Sequence, residues 1–151
     1  MLSARLAALG IELPAPQEPL ASYVMARKAG GLLYLSGHVS REAGSVVSGV
    51  VGAGIDVARA QRLARGIALD LISSAARTTG SLDAISGVVR LTGYMRTASG
   101  FSQLSAVLNG ASDLLVDLLG ESGRHARSAI GVSELPLGAA IEIEAILEVS
   151  G

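Results

Sequence analysis

The sequence predicts an α+β fold with elements in the order β-β-α-β-α-β-β, two helices packed on one face of a mixed sheet. Three observations carry this expectation. Two segments, Asp56 to about Thr78 and about Ser102 to Leu119, space their apolar residues at three and four, the period of an amphipathic helix. Around them, Ile85 to Thr97 and Ala139 to Val149 alternate from residue to residue, the period of a half-buried strand. Helices alternating with strands in this way must lie on a sheet, in an α/β or α+β sandwich.

Taken in order, residues 1–10 read as a short amphipathic helix ending at Gly10; they lack a signal peptide's basic, apolar and cleavage regions. Pro14, Pro16 and Pro19 force residues 11–21 to be extended or turning. The chain is thus expected to be one domain over residues 1–151, opened by a short helix and a Pro-rich extended segment at 1–21. Tyr23 to Ala29 and Leu32 to Ser36 predict two strands joined by a tight turn at Gly30-Gly31. Residues 40–55 are rich in Gly and Ser, with a short strand at Ser45 to Ser48.

In the first long helix, Val57, Ala60, Ala64, Ile67, Leu71 and Ala75 form one stripe, and Arg59, Arg62, Asp70, Ser73 and Arg77 lie opposite. Asp56 is the N-cap candidate and Gly80 the terminator. In the following strand Ile85, Val89, Leu91 and Met95 share a side, against Val88, Arg90, Thr92, Tyr94 and Arg96. The second helix carries Leu104, Val107, Leu108, Ala111, Leu115 and Leu118, and stops at Gly120. Gly110 inside it costs about 1 kcal/mol relative to Ala, so a neighbour is expected to pack closely there.

The composition excludes several functions. Half the residues are hydrophobic, mean hydropathy is +0.50, and only 17% are charged. Such a chain is expected to cover apolar surface in subunit contacts as well as in its core. No uncharged run reaches the ~18 apolar residues of a membrane span, so a cytoplasmic location is expected. With no cysteine there is no thiolate nucleophile or Cys-ligated metal, and His38 and His125 are too few for a His-rich metal site. A net charge of −1 offers no footprint for nucleic acid. Gly49-Val-Val-Gly52-Ala-Gly54 precedes a helix, but Val57 stands where a dinucleotide loop needs its third glycine.

The densest information lies near the end. Gly123-Arg-His-Ala-Arg127-Ser-Ala-Ile-Gly-Val132 reads as a strand, Leu135-Pro-Leu-Gly138 as a tight turn, and Ala140-Ile-Glu142-Ile-Glu144-Ala145 as the return strand of a hairpin. Parity puts Ile130 and Val132 on one face and Arg127, Ala129, Gly131 and Ser133 on the other. If Ile141 and Ile143 share the core face, Glu142 and Glu144 share the arginine's face. A guanidinium gives two parallel charge-assisted hydrogen bonds to a carboxylate, so Arg127 is a candidate anchor for a small acid. A turn centred on Pro136-Leu137 sets Glu142 roughly 13 Å along the strand from Arg127; either a small ligand bridges that gap or the two groups come from different subunits.

This segment resembles the RidA/YjgF family of reactive intermediate deaminases, whose members typically read Ala-Arg-Ser-Cys/Ala-Val-x-Val-x-x-Leu-Pro and then Ile-Glu-Ile-Glu-Ala. Tyr34-Leu-Ser36-Gly37-His38 is similar to the family's Ser-Gly-Gln/His element. Asn109-Gly-Ala-Ser-Asp113 and Gly123-Arg-His-Ala-Arg127 resemble a divergent branch. The resemblance implies a chorismate-mutase-like fold and a homotrimer with ligand clefts between subunits. It also implies hydrolysis of small 2-imino or enamino acids to 2-keto acids and ammonia, without cofactor or metal. Arg127 would grip the substrate carboxylate and Glu142 would orient the attacking water. Ser36 and Gly37 would line the cleft, Tyr23 would close it from a neighbouring subunit, and Asn109 matches a family asparagine on the second helix. His125 is a further candidate, able to move protons near neutral pH. Ala129 stands where many members carry Cys, leaving only its backbone N–H as a contact. The alternative is a non-catalytic trimer that binds or senses a small carboxylate; endoribonuclease activity is less favoured by the charge and the scarce aromatics.

Overall fold

A computed structural model of the chain describes residues 1–151. Helix α1 (Leu2–Ala8) gives way at Gly10, whose φ of 63° suits a residue without a side chain. Strands β1 (Ala26–Ala29) and β2 (Leu32–Val39) form the expected antiparallel pair across Gly30-Gly31. The Gly/Ser-rich stretch makes two-residue ribbons, β3 (Arg41–Glu42) with β4 (Ser45–Val46) and β5 (Val50–Val51) with β6 (Gly54–Ile55). Helix α2 (Val57–Thr79) starts where Asp56 accepts the Arg59 N–H at 2.8 Å and ends at left-handed Gly80. Strand β7 (Ile85–Arg96), helix α3 (Leu104–Leu119), and strands β8 (Ala126–Val132) and β9 (Ile141–Val149) complete the chain.

The main sheet has the order β1-β2-β9-β7-β8. All neighbours are antiparallel except β7 and β8, which run parallel. A parallel pair needs a long crossover, and α3 supplies it. Both β2 and β7 are antiparallel to β9, so they run the same way, and α2 is the crossover between them. Both helices fall on one face and pack together and against β2, β9, β7 and β8. Gly110 sits where α3 crosses α2: a Cβ there would overlap the backbone carbonyl of Gln61. The close approach expected from a mid-helix glycine is therefore real.

Three expectations need correction. The last two strands are not a hairpin, because β7 lies between them. Ile141, Ile143, Ala145, Leu147 and Val149 are all buried, which a strand achieves by taking a central place, whereas β8 keeps Ala126, Ile130 and Gly131 exposed at the sheet edge. The connection crosses the end of β7 through a 3-10 turn at Pro136–Gly138. Arg96 holds it there, donating Nη1–H to the Gly138 carbonyl at 2.9 Å and facing Glu134 at 3.6 Å.

Second, β7 does not alternate strictly. Register shifts between Ile85 and Gly87 and between Val88 and Arg90 turn Val88 inward and leave Val89 exposed, as a β-bulge does. Third, Asp70 and Ser73 are not on a solvated helix face; both are buried. The Pro-rich segment lies over them. Ser73 Oγ donates to the Pro14 carbonyl at 2.6 Å, and Asp70 accepts from Gln17 at 2.9 Å and from Arg41 at 2.6 Å. A largely buried guanidinium and an amide thus satisfy the buried carboxylate.

Candidate functional site

The fourth correction concerns the site itself. Reading across the sheet, Arg127 pairs with Leu91 and Leu91 with Ala145; Ala129 pairs with Gly93 and Gly93 with Ile143. Side chains in one row share a face. Arg127 and Ala129 therefore point to the helix-covered face with Ile141 and Ile143, while Glu142, in the row of Val39 and Tyr94, points to the open face with Glu144. Within one copy of the chain, Arg127 and Glu142 lie on opposite sides of the sheet. α3 packs against β8 and takes the Arg127 side chain at Ser105 and Ser112, which puts Arg127, Ala129 and Gly131 on the helix side and turns the bulky Ile130 outward.

On the open face, a bulge in the β2–β9 register falls between Leu35 and His38, at Ser36-Gly37. There the backbone of Gly37 meets the side chain of Glu142: a Cβ on Gly37 would lie 2.7 Å from the carboxyl carbon and would overlap one oxygen. Ser36 faces the other way along the chain. Its N–H donates to the Met25 carbonyl at 2.9 Å and its Oγ to the Val24 carbonyl at 2.7 Å, tying the loop that carries Tyr23 to this end of β2. The Tyr23 ring is exposed and its hydroxyl accepts the Leu20 N–H at 3.4 Å. Burial raises the Glu142 pKa above the usual carboxylate value, and the charge of Glu144 adds to it. Tyr94 donates to Glu144 at 3.0 Å. A hollow of about 220 Å³ next to it is lined by Tyr34, Arg90, Thr92, Glu144 and Ile146.

On the helix face, Ser105, Asn109 and Ser112 follow one another at helical spacing along α3, above the edge strand. Arg127 donates Nη1–H to Ser112 Oγ at 3.0 Å and Nη2–H to the Ser105 carbonyl at 3.3 Å. Ser112 Oγ also lies 2.9 Å from His125 Nε2, and His125 Nδ1 lies 2.6 Å from the Gly123 carbonyl. Burial lowers the His125 pKa; the bond to Gly123 opposes this and the charge of Arg127 reinforces it. Asn109 is exposed on the same stripe, and Ala129 is half-buried against the core.

The sequence-derived candidates thus fall into two groups. Gly37 and Glu142 meet on the open face, and Ser36 beside them ties the Tyr23 loop to this end of β2. Arg127, His125, Asn109 and Ala129 gather at the β8 edge under α3. Sequence reading did not assign Ser105 or Ser112 a part. Ser112 lies within residues 109–113, but its partners, His125 just before β8 and Arg127 within it, are 13–15 residues away, and only the fold brings them together.

A mixed five-stranded sheet with two helices on one face, an arginine at its edge and a glutamate over a Ser-Gly bulge defines a RidA-like protein. The family described as Endoribonuclease L-PSP, the RidA/YjgF family, matches residues 14–149, and the chain belongs to it. It is 39% identical over 151 residues to Protein TCP17 of Trypanosoma cruzi, covering 99% of this chain and 94% of that one. It is also similar to the crystal structure of Atu1372, a protein of unknown function from Agrobacterium tumefaciens (40% identity, TM-score 0.87, 99% and 94% covered). RidA from an Antarctic Psychrobacter is further away (26% identity, TM-score 0.61, 89% and 94% covered). No helix is long and apolar enough to cross a membrane.

Proposed function

We propose that the protein hydrolyses small 2-imino or enamino acids to 2-keto acids and ammonia, in clefts where copies of the chain meet as a homotrimer. One observation carries this reading: the anchor and the water-orienting acid occupy opposite faces of one sheet, so a shared cleft requires Arg127 from one copy and Glu142 from another. The second alternative left open by the strand spacing is the one this geometry favours. The exposed Tyr34, Val89 and Ile130 are apolar surface that such an assembly would cover.

Arg127 holds the substrate carboxylate. Burial raises the Glu142 pKa, which makes its ionised form a stronger base: it takes a proton from water as the oxygen adds to the imine carbon. Returning that proton to nitrogen gives a carbinolamine. The same carboxylate then passes the proton of the new hydroxyl to the amine, the C–N bond breaks, and ammonia and the keto acid are released. Ser36, Gly37 and Tyr23 border the cleft on the Glu142 side; Asn109, His125 and the Ala129 N–H border it on the Arg127 side. Imines are already electrophilic, so positioning supplies the rate, and the proposal needs no cofactor. RNA cleavage is disfavoured by the three carboxylates, Glu142, Glu144 and Glu148, that β9 presents on the open face.

The test is ammonia release from enzymatically generated 2-iminobutanoate. Wild type should accelerate it, Arg127→Ala should abolish the gain, and sedimentation should give three copies. Saturable 2-oxobutanoate binding without turnover would instead assign the protein as a small-carboxylate binder; no binding and no turnover would overturn both readings.

A further inference from the structure

The geometry points to Ser112 and His125 as a positioning pair that sets the direction of the Arg127 guanidinium, a role that rests on the carboxylate-gripping function proposed above. The hydrogens along the chain of contacts are fixed by what each atom can do. A backbone carbonyl only accepts, so the Gly123 oxygen, 2.6 Å away, requires the proton on His125 Nδ1. In the neutral ring Nε2 is then an acceptor, and the Ser112 hydroxyl, 2.9 Å away, must donate to it. With its proton directed at the imidazole, the Ser112 oxygen turns lone pairs toward Arg127 and accepts Nη1–H at 3.0 Å. The α3 carbonyl of Ser105 takes Nη2–H at 3.3 Å. Burial and, against the opposing bond to Gly123, the neighbouring guanidinium lower the ring's pKa, which favours the uncharged form and with it this one-way order from carbonyl to ring to hydroxyl to cation.

An arginine carries five N–H donors in a rigid plane. Two are committed to α3, so the plane is clamped and the remaining donors face a fixed direction at the sheet edge. A long flexible side chain would otherwise lose rotamer freedom on each binding event. Ser112 and His125 remove that loss in advance. Ser112 touches Arg127 and His125 acts on it through Ser112, so their removal should act on substrate affinity and leave the chemical step nearly unchanged.

The experiment uses the full chain with ¹⁵N-labelled arginine and histidine, wild type beside Ser112→Ala, Ser112→Thr and His125→Phe. In wild type, the Arg127 guanidinium N–H signals should be resolved and slowly exchanging, and His125 should be the neutral Nδ1–H tautomer. Ser112→Ala should average the Arg127 signals, and Ser112→Thr, which keeps the hydroxyl, should restore them. In turnover of 2-iminobutanoate, Ser112→Ala and His125→Phe should raise KM about 10-fold with kcat within about 2-fold; a merely structural loss would lower the active fraction and leave KM alone. An Nε2–H tautomer at pH 7.5, or unchanged Arg127 signals in Ser112→Ala, overturns the positioning role. If wild type shows the clamped arginine but neither binds 2-oxobutanoate nor turns over the imine, the carboxylate function fails while the clamp stands.

Discussion

The two histidines of this chain make the same local pattern in two different settings. His38, on β2, places Nδ1 2.7 Å from the carbonyl of Ser36, two residues back, and Nε2 2.7 Å from Ser74 Oγ on α2. His125, just before β8, does the same with Gly123, also two residues back, and with Ser112 on α3. Each ring ties a strand to the helix above it. Burial separates them: His38 is fully enclosed in the middle of the sheet, whereas His125 is half-exposed at the edge and its serine passes on to Arg127. The inner chain ends on a hydroxyl; the outer one ends on a cation with donors to spare. The same arrangement is a fastening in one place and an aiming device in the other.

The largest expected effect is on the inner fastening. His38→Ala removes a fully buried ring, opens a cavity and orphans Ser74 and the Ser36 carbonyl, at a cost of about 3–5 kcal/mol. His125→Ala at the half-open edge can readmit water and should cost under about 1.5 kcal/mol. Urea unfolding of both variants decides the matter; equal losses would mean that burial does not distinguish the two sites.

Next comes the bulge beside His38. Gly37→Ala puts a methyl group where the Glu142 carboxyl lies. Glu142 is flexible and half-exposed, so it will swing away, with stability changed by under about 1 kcal/mol. Its displacement should nevertheless lower turnover about 10²-fold. Imine hydrolysis and thermal unfolding, run on the same preparation, separate the two effects. Retained activity would remove Glu142 from the water-orienting role.

How far the sequence could be read follows from which constraints are local. Helix periods, the Asp56 cap, the Gly80 stop and the close approach at Gly110 are set by residues within a turn or two, and each is visible in the chain. Neighbour choice is not: alternation in β9 shows that one side is buried, but not that β2 and β7 flank it. The edge strand misleads for a definite reason. A pattern reader assigns Ile130 and Val132 to the core and Arg127 to the outside, and α3 reverses this, because its Ser112 hydroxyl and Ser105 carbonyl give the guanidinium partners on the helix side. Outward aliphatics on β8 are surface that the proposed assembly would cover. Asp70 misleads in the same way, since only the folded Pro-rich segment buries it.

The smallest effect separates the histidines by proton uptake. Burial lowers the pKa of both from 6.5. Above that value both are neutral in the folded and unfolded chain, and neither contributes any pH dependence. As pH falls through about 6.5 the unfolded chain takes up protons that the folded chain resists, so stability must decline, by at most about 1.4 kcal/mol per pH unit for each proton. His38, the more deeply buried, should carry most of that slope, and His125 less. Glu142 acts with the opposite sign, because its raised pKa lets the folded state bind a proton first as pH falls. The measurement therefore belongs in a Glu142→Gln background, by urea unfolding between pH 7.5 and 5.5. His125→Asn in that background should keep most of the slope. If the slope vanishes instead, the outer imidazole rather than the inner one is the group held neutral, and the contrast between the two sites is inverted.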